Sequence, residues 1–125
     1  MARNHAVLSD FKNMNTMRFL FAFILLVHGL IHLLGFLKAF QLADINQLTQ
    51  PVSRASGVFW LLAALLFVVS AALFLFHKDV WWMFAAPAVV ISQTLVFMQW
   101  HDAKFGTIAN IIALSVIVIA FGDWQ

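Results

Sequence analysis

The chain has 125 residues, 64% of them hydrophobic and only 10% charged, with a net charge of +2. A soluble domain carries about 25% charged residues, so this composition excludes an ordinary water-soluble fold and predicts an all-α membrane protein. There is no cysteine, which excludes disulfides, thiolate metal sites and Fe–S clusters. The seven Lys and Arg residues are spread along the chain, so no basic cluster offers itself to nucleic acid.

The first sixteen residues lack the apolar stretch and small-residue cleavage site of a signal peptide. Val7, Leu8, Phe11 and Met14 form an apolar helical stripe instead, which predicts an N-terminal interfacial helix. Four apolar segments follow, at about 17–37, 58–76, 80–99 and 105–121. Each is close to the ~20 residues that cross a ~30 Å hydrocarbon core. Asn15-Thr16 is placed to cap the first, and Ser53 or Ser56 the second. The connection at 39–56 is the longest; Phe40, Ile45 and Leu48 among its polar residues predict a helix or turn lying on the membrane. His77-Lys78-Asp79 and His101-Asp102-Ala103-Lys104 are short connections, so their flanking helices run antiparallel. The expected architecture is a single domain, an up-down bundle of four transmembrane helices.

With alternating spans, Trp81, Trp82 and Trp124 fall on the side of the N-terminus and Trp60 and Trp100 on the far side, which reads as two aromatic belts. Four of the Lys and Arg residues fall on the N-terminal side and three on the far side. The bias favours cytoplasmic termini in a multi-pass protein of the bacterial inner membrane.

The most informative residues are His28 and His32, in the middle of the first apolar segment. Ionisable groups in hydrocarbon are costly and mark candidate sites. A spacing of four places both imidazoles on one helix face. By the ~1.5 Å rise per residue, His28 lies near the midplane and His32 one turn nearer the far side. Ser92, Gln93 and Gln99 on the third helix and Asn110 on the fourth belong to the same far half. These six residues form the expected ligand pocket, open toward the far side. The fourth helix carries a small-residue stripe, Gly106, Asn110, Ala113 and Ala120, that lets backbones approach closely.

Three classes of function fit. In the first, the pocket binds a metal ion or a quinone-like redox ligand. His28 and His32 would share an ion with His101 or Asp102, or a neutral histidine would donate to a quinone carbonyl within an aromatic slot. In the second, an oligomer conducts protons or ions along the histidines, Gln93 and Asn110. In the third, the histidines hydrogen-bond across helices as structural glue, worth about 0.6–2 kcal/mol per bond. The expected partners are the lipid bilayer and either further copies of the chain or a larger membrane complex. No aspartate lies centrally in an apolar segment and there is no glutamate, which argues against a carboxylate relay. His101-Asp102 also reads as an interfacial turn whose carboxylate caps the fourth helix, and His5 and His77 as solvated.

The segments Trp100-His101-Asp102-Ala103-Lys104-Phe105-Gly106-Thr107-Ile108-Ala109-Asn110 and His28-Gly29-Leu30-Ile31-His32 resemble those of small four-helix bacterial membrane proteins. The layout of Arg18, His28-Gly29 and Lys38 around the first helix is similar to that of the DoxX-like group. The resemblance implies a four-helix membrane fold and, through that group's association with membrane redox or quinone-linked complexes, a redox ligand. It assigns no catalytic residue.

Overall fold

The computed structural model describes the backbone of residues 2–124 and the side chains of residues 14–123. The described residues are all-helical, with α1 at Ala2–Ala39, α2 at Arg54–Leu75, α3 at Trp81–Met98, a single turn α4 at Trp100–Ala103, and α5 at Gly106–Trp124. Four of these helices are long and apolar enough to cross a membrane. All four expected segments are therefore helical, with ends shifted by a few residues.

The first helix departs most from expectation. No boundary falls at Asn15-Thr16, because α1 is continuous from Ala2 to Ala39. Nothing in that stretch breaks a helix: it holds no proline, and its capping-type residues, Asn15-Thr16 among them, are interspersed with good helix formers. The stripe residues Val7, Leu8 and Phe11 lie outside the described side chains, as does His5.

The ends of α1 and α2 share one device. Leu42 N–H donates to Leu37 C=O at 2.9 Å and Gln41 N–H to Lys38 C=O at 3.1 Å, with Gln41 at φ 56°. Lys78 N–H donates to Leu73 C=O at 2.9 Å and His77 N–H to Phe74 C=O at 3.2 Å, with His77 at φ 58°. Both are Schellman closures, which satisfy orphan carbonyls by placing one residue in the left-handed region. At the start of α2, Ser53 is the cap, its Oγ accepting from Ser56 N–H at 3.1 Å.

Packing follows the small residues. α1 lies most extensively against α2, α2 against α3, and α3 against α5. A Cβ on Gly29 would stand 2.9 Å from Phe67 Cβ and 3.1 Å from Ala64 O, and one on Gly35 would collide with the Trp60 ring. These two glycines let α2 close onto α1, as small residues do at apolar helix interfaces. Ala85 and Ser92 on α3 and Gln99 at its C-cap are buried as their spacing predicts. Of the expected stripe on α5, Asn110 and Ala113 are buried and Gly106 and Ala120 half-buried, and Ile117 is buried beside them. Ser70, the one polar residue inside α2, donates to Trp81 C=O at 3.0 Å.

Residues 40–53 form no helix. They are an irregular segment fastened from below: Lys38 Nζ donates to Leu48 C=O, Gln99 Nε2 donates to Pro51 C=O at 3.1 Å, and Leu48 is buried. Gln41 in the left-handed region closes α1 ahead of this segment, and the segment's backbone groups find partners on neighbouring elements instead.

The tryptophans do not all behave as belt residues. Trp60 and Trp81 are buried at 3% and 7% exposure, whereas Trp100 is 48% exposed. Trp81 packs edge-on against Phe21 and Phe74, and Trp60 packs against Gly35 and His32. The side chain of Trp124 lies outside the described residues.

Candidate functional site

Three helices bring the polar residues together. His28 and His32 come from successive turns of α1, Ser92 and Gln93 from α3, and Asn110 from α5. His28, His32, Ser92 and Asn110 are all buried. The two imidazole rings stand edge to face with centroids 4.6 Å apart, and Phe67 of α2 backs both of them at 4.9 and 5.5 Å.

The hydrogen bonds have a direction. His32 Nδ1 lies 2.7 Å from the carbonyl oxygen of His28; a carbonyl only accepts, so Nδ1 carries the proton. In a neutral ring His32 Nε2 is then a bare acceptor, and Ser92 O–H donates to it at 2.8 Å. His28 Nε2 lies 2.9 Å from Asn110 Oδ1; an amide oxygen also only accepts, so Nε2 carries the proton of His28. Asn110 Nδ2 donates to Ser92 Oγ at 3.0 Å and to Gln93 Oε1 at 2.9 Å, and Gln93 Nε2 donates to Thr107 Oγ1 at 3.1 Å. With both rings neutral, one assignment of protons satisfies every contact. The two histidines are opposite tautomers.

That assignment leaves one atom over. His32 has both nitrogens engaged. Both contacts of the His28 ring, to Asn110 and the longer one of 3.3 Å to Ser92, are made by Nε2. Among the described residues no hydrogen bond goes to His28 Nδ1, whose lone pair is free.

His28 and His32 also line a cavity of about 320 Å³. Its other walls are mostly apolar and include Ile31, Leu34, Trp60, Val96 and Phe105. Gln47, Leu48 and Asp102 also line it, so the fastened segment contributes part of its wall. Asp102 supplies the fastening. Its carboxylate accepts from Thr49 N–H at 2.8 Å, Thr49 O–H at 2.7 Å and Gln50 N–H at 3.0 Å. The Thr49 hydroxyl, helped by the two backbone N–H groups and nearby His101, holds the carboxyl below its ordinary value of 3.8. The carboxylate therefore holds the connection in place and does not cap α5.

Of the expected pocket residues, His28, His32, Ser92, Gln93 and Asn110 come together. Gln99 does not join them: its Nε2 serves Pro51, and its Oε1 is buried with no partner among the described residues. The expected metal set does not converge. His101 is exposed, Asp102 is committed to Thr49 and Gln50, and the His32 lone pair is taken by Ser92. No group of three or more His, Cys, Asp or Glu side chains that could hold a metal ion exists among the described residues.

Residues not anticipated from sequence are Thr107, Trp60, Thr49 and Gln50. Thr107 was within reach, since it stands one turn before Asn110 on α5. Trp60 reads from sequence as a belt residue, and only the gap above Gly35 shows why it turns inward. Its indole N–H is buried with no hydrogen-bond partner among the described residues. No known protein family, curated protein or solved structure matches the chain, so the chemistry of the site rests on its geometry.

Proposed function

We propose that this chain is a single-domain integral membrane protein. Its four long helices cross the bacterial inner membrane as an up-down bundle with cytoplasmic termini. Its task is to bind a small, largely apolar, quinone-like ligand in the cavity beside His28, alone, as an oligomer or within a larger complex. The observation that carries this reading is the cavity itself. It joins a buried polar cluster to apolar walls and has about the volume of small-molecule sites, roughly 300–1,000 Å³. Hollows of similar size lie elsewhere along the helices, but their walls are apolar or carry no buried histidine.

The test is extraction of the purified protein with organic solvent, followed by mass spectrometry and visible spectroscopy. A redox-active lipid near one per chain, lost in Ala109→Phe, whose larger side chain would enter the cavity, is the expected result. No such molecule in the native protein, together with unchanged stability in the double variant His28→Leu, His32→Gln, would favour a structural subunit.

A second reading has one specific observation behind it. The hydrogen bonds run unbroken from His28 through Asn110 and Gln93 to Thr107, as a proton path requires. Proton flux into liposomes that His28→Ala abolishes would favour it; amide side chains do not shuttle protons readily, which places it second.

A further inference from the structure

We propose that the ligand of this cavity is a hydrogen-bond donor, an aromatic hydroxyl of the phenol or quinol class, and that His28 Nδ1 is its acceptor. This rests on the reading above that the cavity holds a small apolar molecule. It reverses the ordinary expectation that a neutral histidine donates to a quinone carbonyl.

The reversal follows from where the His28 proton sits. Nε2–H is committed to Asn110 Oδ1 at 2.9 Å, so the ring presents a lone pair at Nδ1. The His28 side chain lines the cavity. Its Cε1, the carbon between the two ring nitrogens, lies 3.5 Å from the position of a Cβ on Gly106, another wall residue, and Nδ1 is not among the polar atoms that are closed off without a partner. A carbonyl ligand would meet Nδ1 lone pair to lone pair. An O–H meets it as a donor to an acceptor.

The network resists switching to suit a carbonyl. Moving the proton to Nδ1 leaves Nε2 and Asn110 Oδ1 facing each other as two acceptors. Turning the Asn110 amide repairs that contact but sets Oδ1 against Ser92 Oγ and Gln93 Oε1. Gln93 can turn in its place, donating to Asn110 and accepting from Thr107. Ser92 has one proton, however, and giving it to Asn110 removes the only donor to His32 Nε2. If Ser92 keeps its proton on His32, Ser92 Oγ and Asn110 Oδ1 face each other as two acceptors where a 3.0 Å hydrogen bond now stands. Each route to the other tautomer therefore gives up a buried hydrogen bond, which converts to about tenfold in affinity. Apart from Gln47 and Asp102 the cavity walls are mostly apolar, and the unpartnered Trp60 indole N–H is itself closed off from open space, so the His28 contact is the main polar one that orients and selects the ligand. A single lone pair also cannot chelate an ion.

The test uses the full chain in detergent micelles, labelled with ¹⁵N-histidine. It is titrated with 4-butylphenol and with 4-butyltoluene, in which a methyl group of similar size replaces the hydroxyl. Ala109→Phe sets the level of non-specific uptake. The expected result is at least tenfold tighter binding of the phenol, with the His28 Nδ1 resonance moving on saturation while His32 Nδ1 stays. Equal binding of the two probes above the Ala109→Phe level would overturn the donor assignment and leave the cavity reading standing. Binding of neither above that level would overturn both. The comparison is made on the native chain, so it does not depend on whether a His28 variant folds.

Discussion

The two ends of these helices solve the same packing problem with different chemistry. At one end Phe21, Phe74 and Trp81 meet edge to face, with centroids 5.1–5.5 Å apart. Arg18 lies 4.3 Å over the Phe74 ring and donates to Phe74 C=O at 2.6 Å. Further along, α1 and α3 meet each other and α5 through His28, His32, Ser92 and Asn110. The aromatic end has a groove too, of about 320 Å³, but its walls are apolar apart from Arg18. Arg18 can only donate and is turned onto a carbonyl and a ring face, so no side-chain nitrogen or oxygen of that groove presents a lone pair to a ligand. The histidine end leaves one. The lesson is that burying polar groups does not by itself make a site; what distinguishes the two ends is an uncommitted atom beside a cavity.

The comparison can be broken by single changes. The largest effect is expected for Ser92→Ala, because among the described residues Ser92 Oγ is the only atom that serves both His32 and Asn110. Its loss leaves buried polar groups unpaired and should lower stability by about 1–3 kcal/mol, read as a lowered unfolding midpoint in detergent. An unchanged midpoint would mean that the polar end is not a coupled network. Phe21→Leu keeps apolar volume at the other end but removes two edge contacts. The expected loss is about 0.5–1.5 kcal/mol, with phenol affinity unchanged; a change in affinity would show that the two ends are coupled.

The smallest effect is local. Asp102→Asn should leave the overall unfolding midpoint in place yet speed hydrogen exchange at the Thr49 and Gln50 amides. In the native chain the same release should come with acid. A carboxyl whose folded pKa is depressed contributes its hold fully above its ordinary value of 3.8 and loses it as pH falls through the lower folded value. Protection of those two amides should therefore be flat from neutral pH down to about 4 and fade only below. Loss well above that range would contradict the carboxylate's role.

Much of this was legible in the sequence, and the parts that were not have physical reasons. The four apolar helices follow from length and hydropathy, and the pairing of His28 and His32 with Ser92, Gln93 and Asn110 follows from helical spacing and depth. Gln99 shares its face with Ser92, but the fastened connection captures it first. The role of Asp102 was hidden because its partners, Thr49 and Gln50, lie in an irregular segment with no periodicity to read. Trp60 was misplaced because depth alone does not say which way a ring turns; the missing Cβ of Gly35 decides that. Proton positions follow from acceptor geometry alone, which no spacing rule reaches.

The most direct test of the site is therefore the tautomeric state of its two histidines. Nitrogen NMR of the ¹⁵N-histidine protein at neutral pH should show His28 protonated at Nε2 and bare at Nδ1, and His32 protonated at Nδ1 and bare at Nε2. Finding both rings in the same tautomer, or His28 protonated at Nδ1, would contradict the network and the acceptor it presents to the cavity.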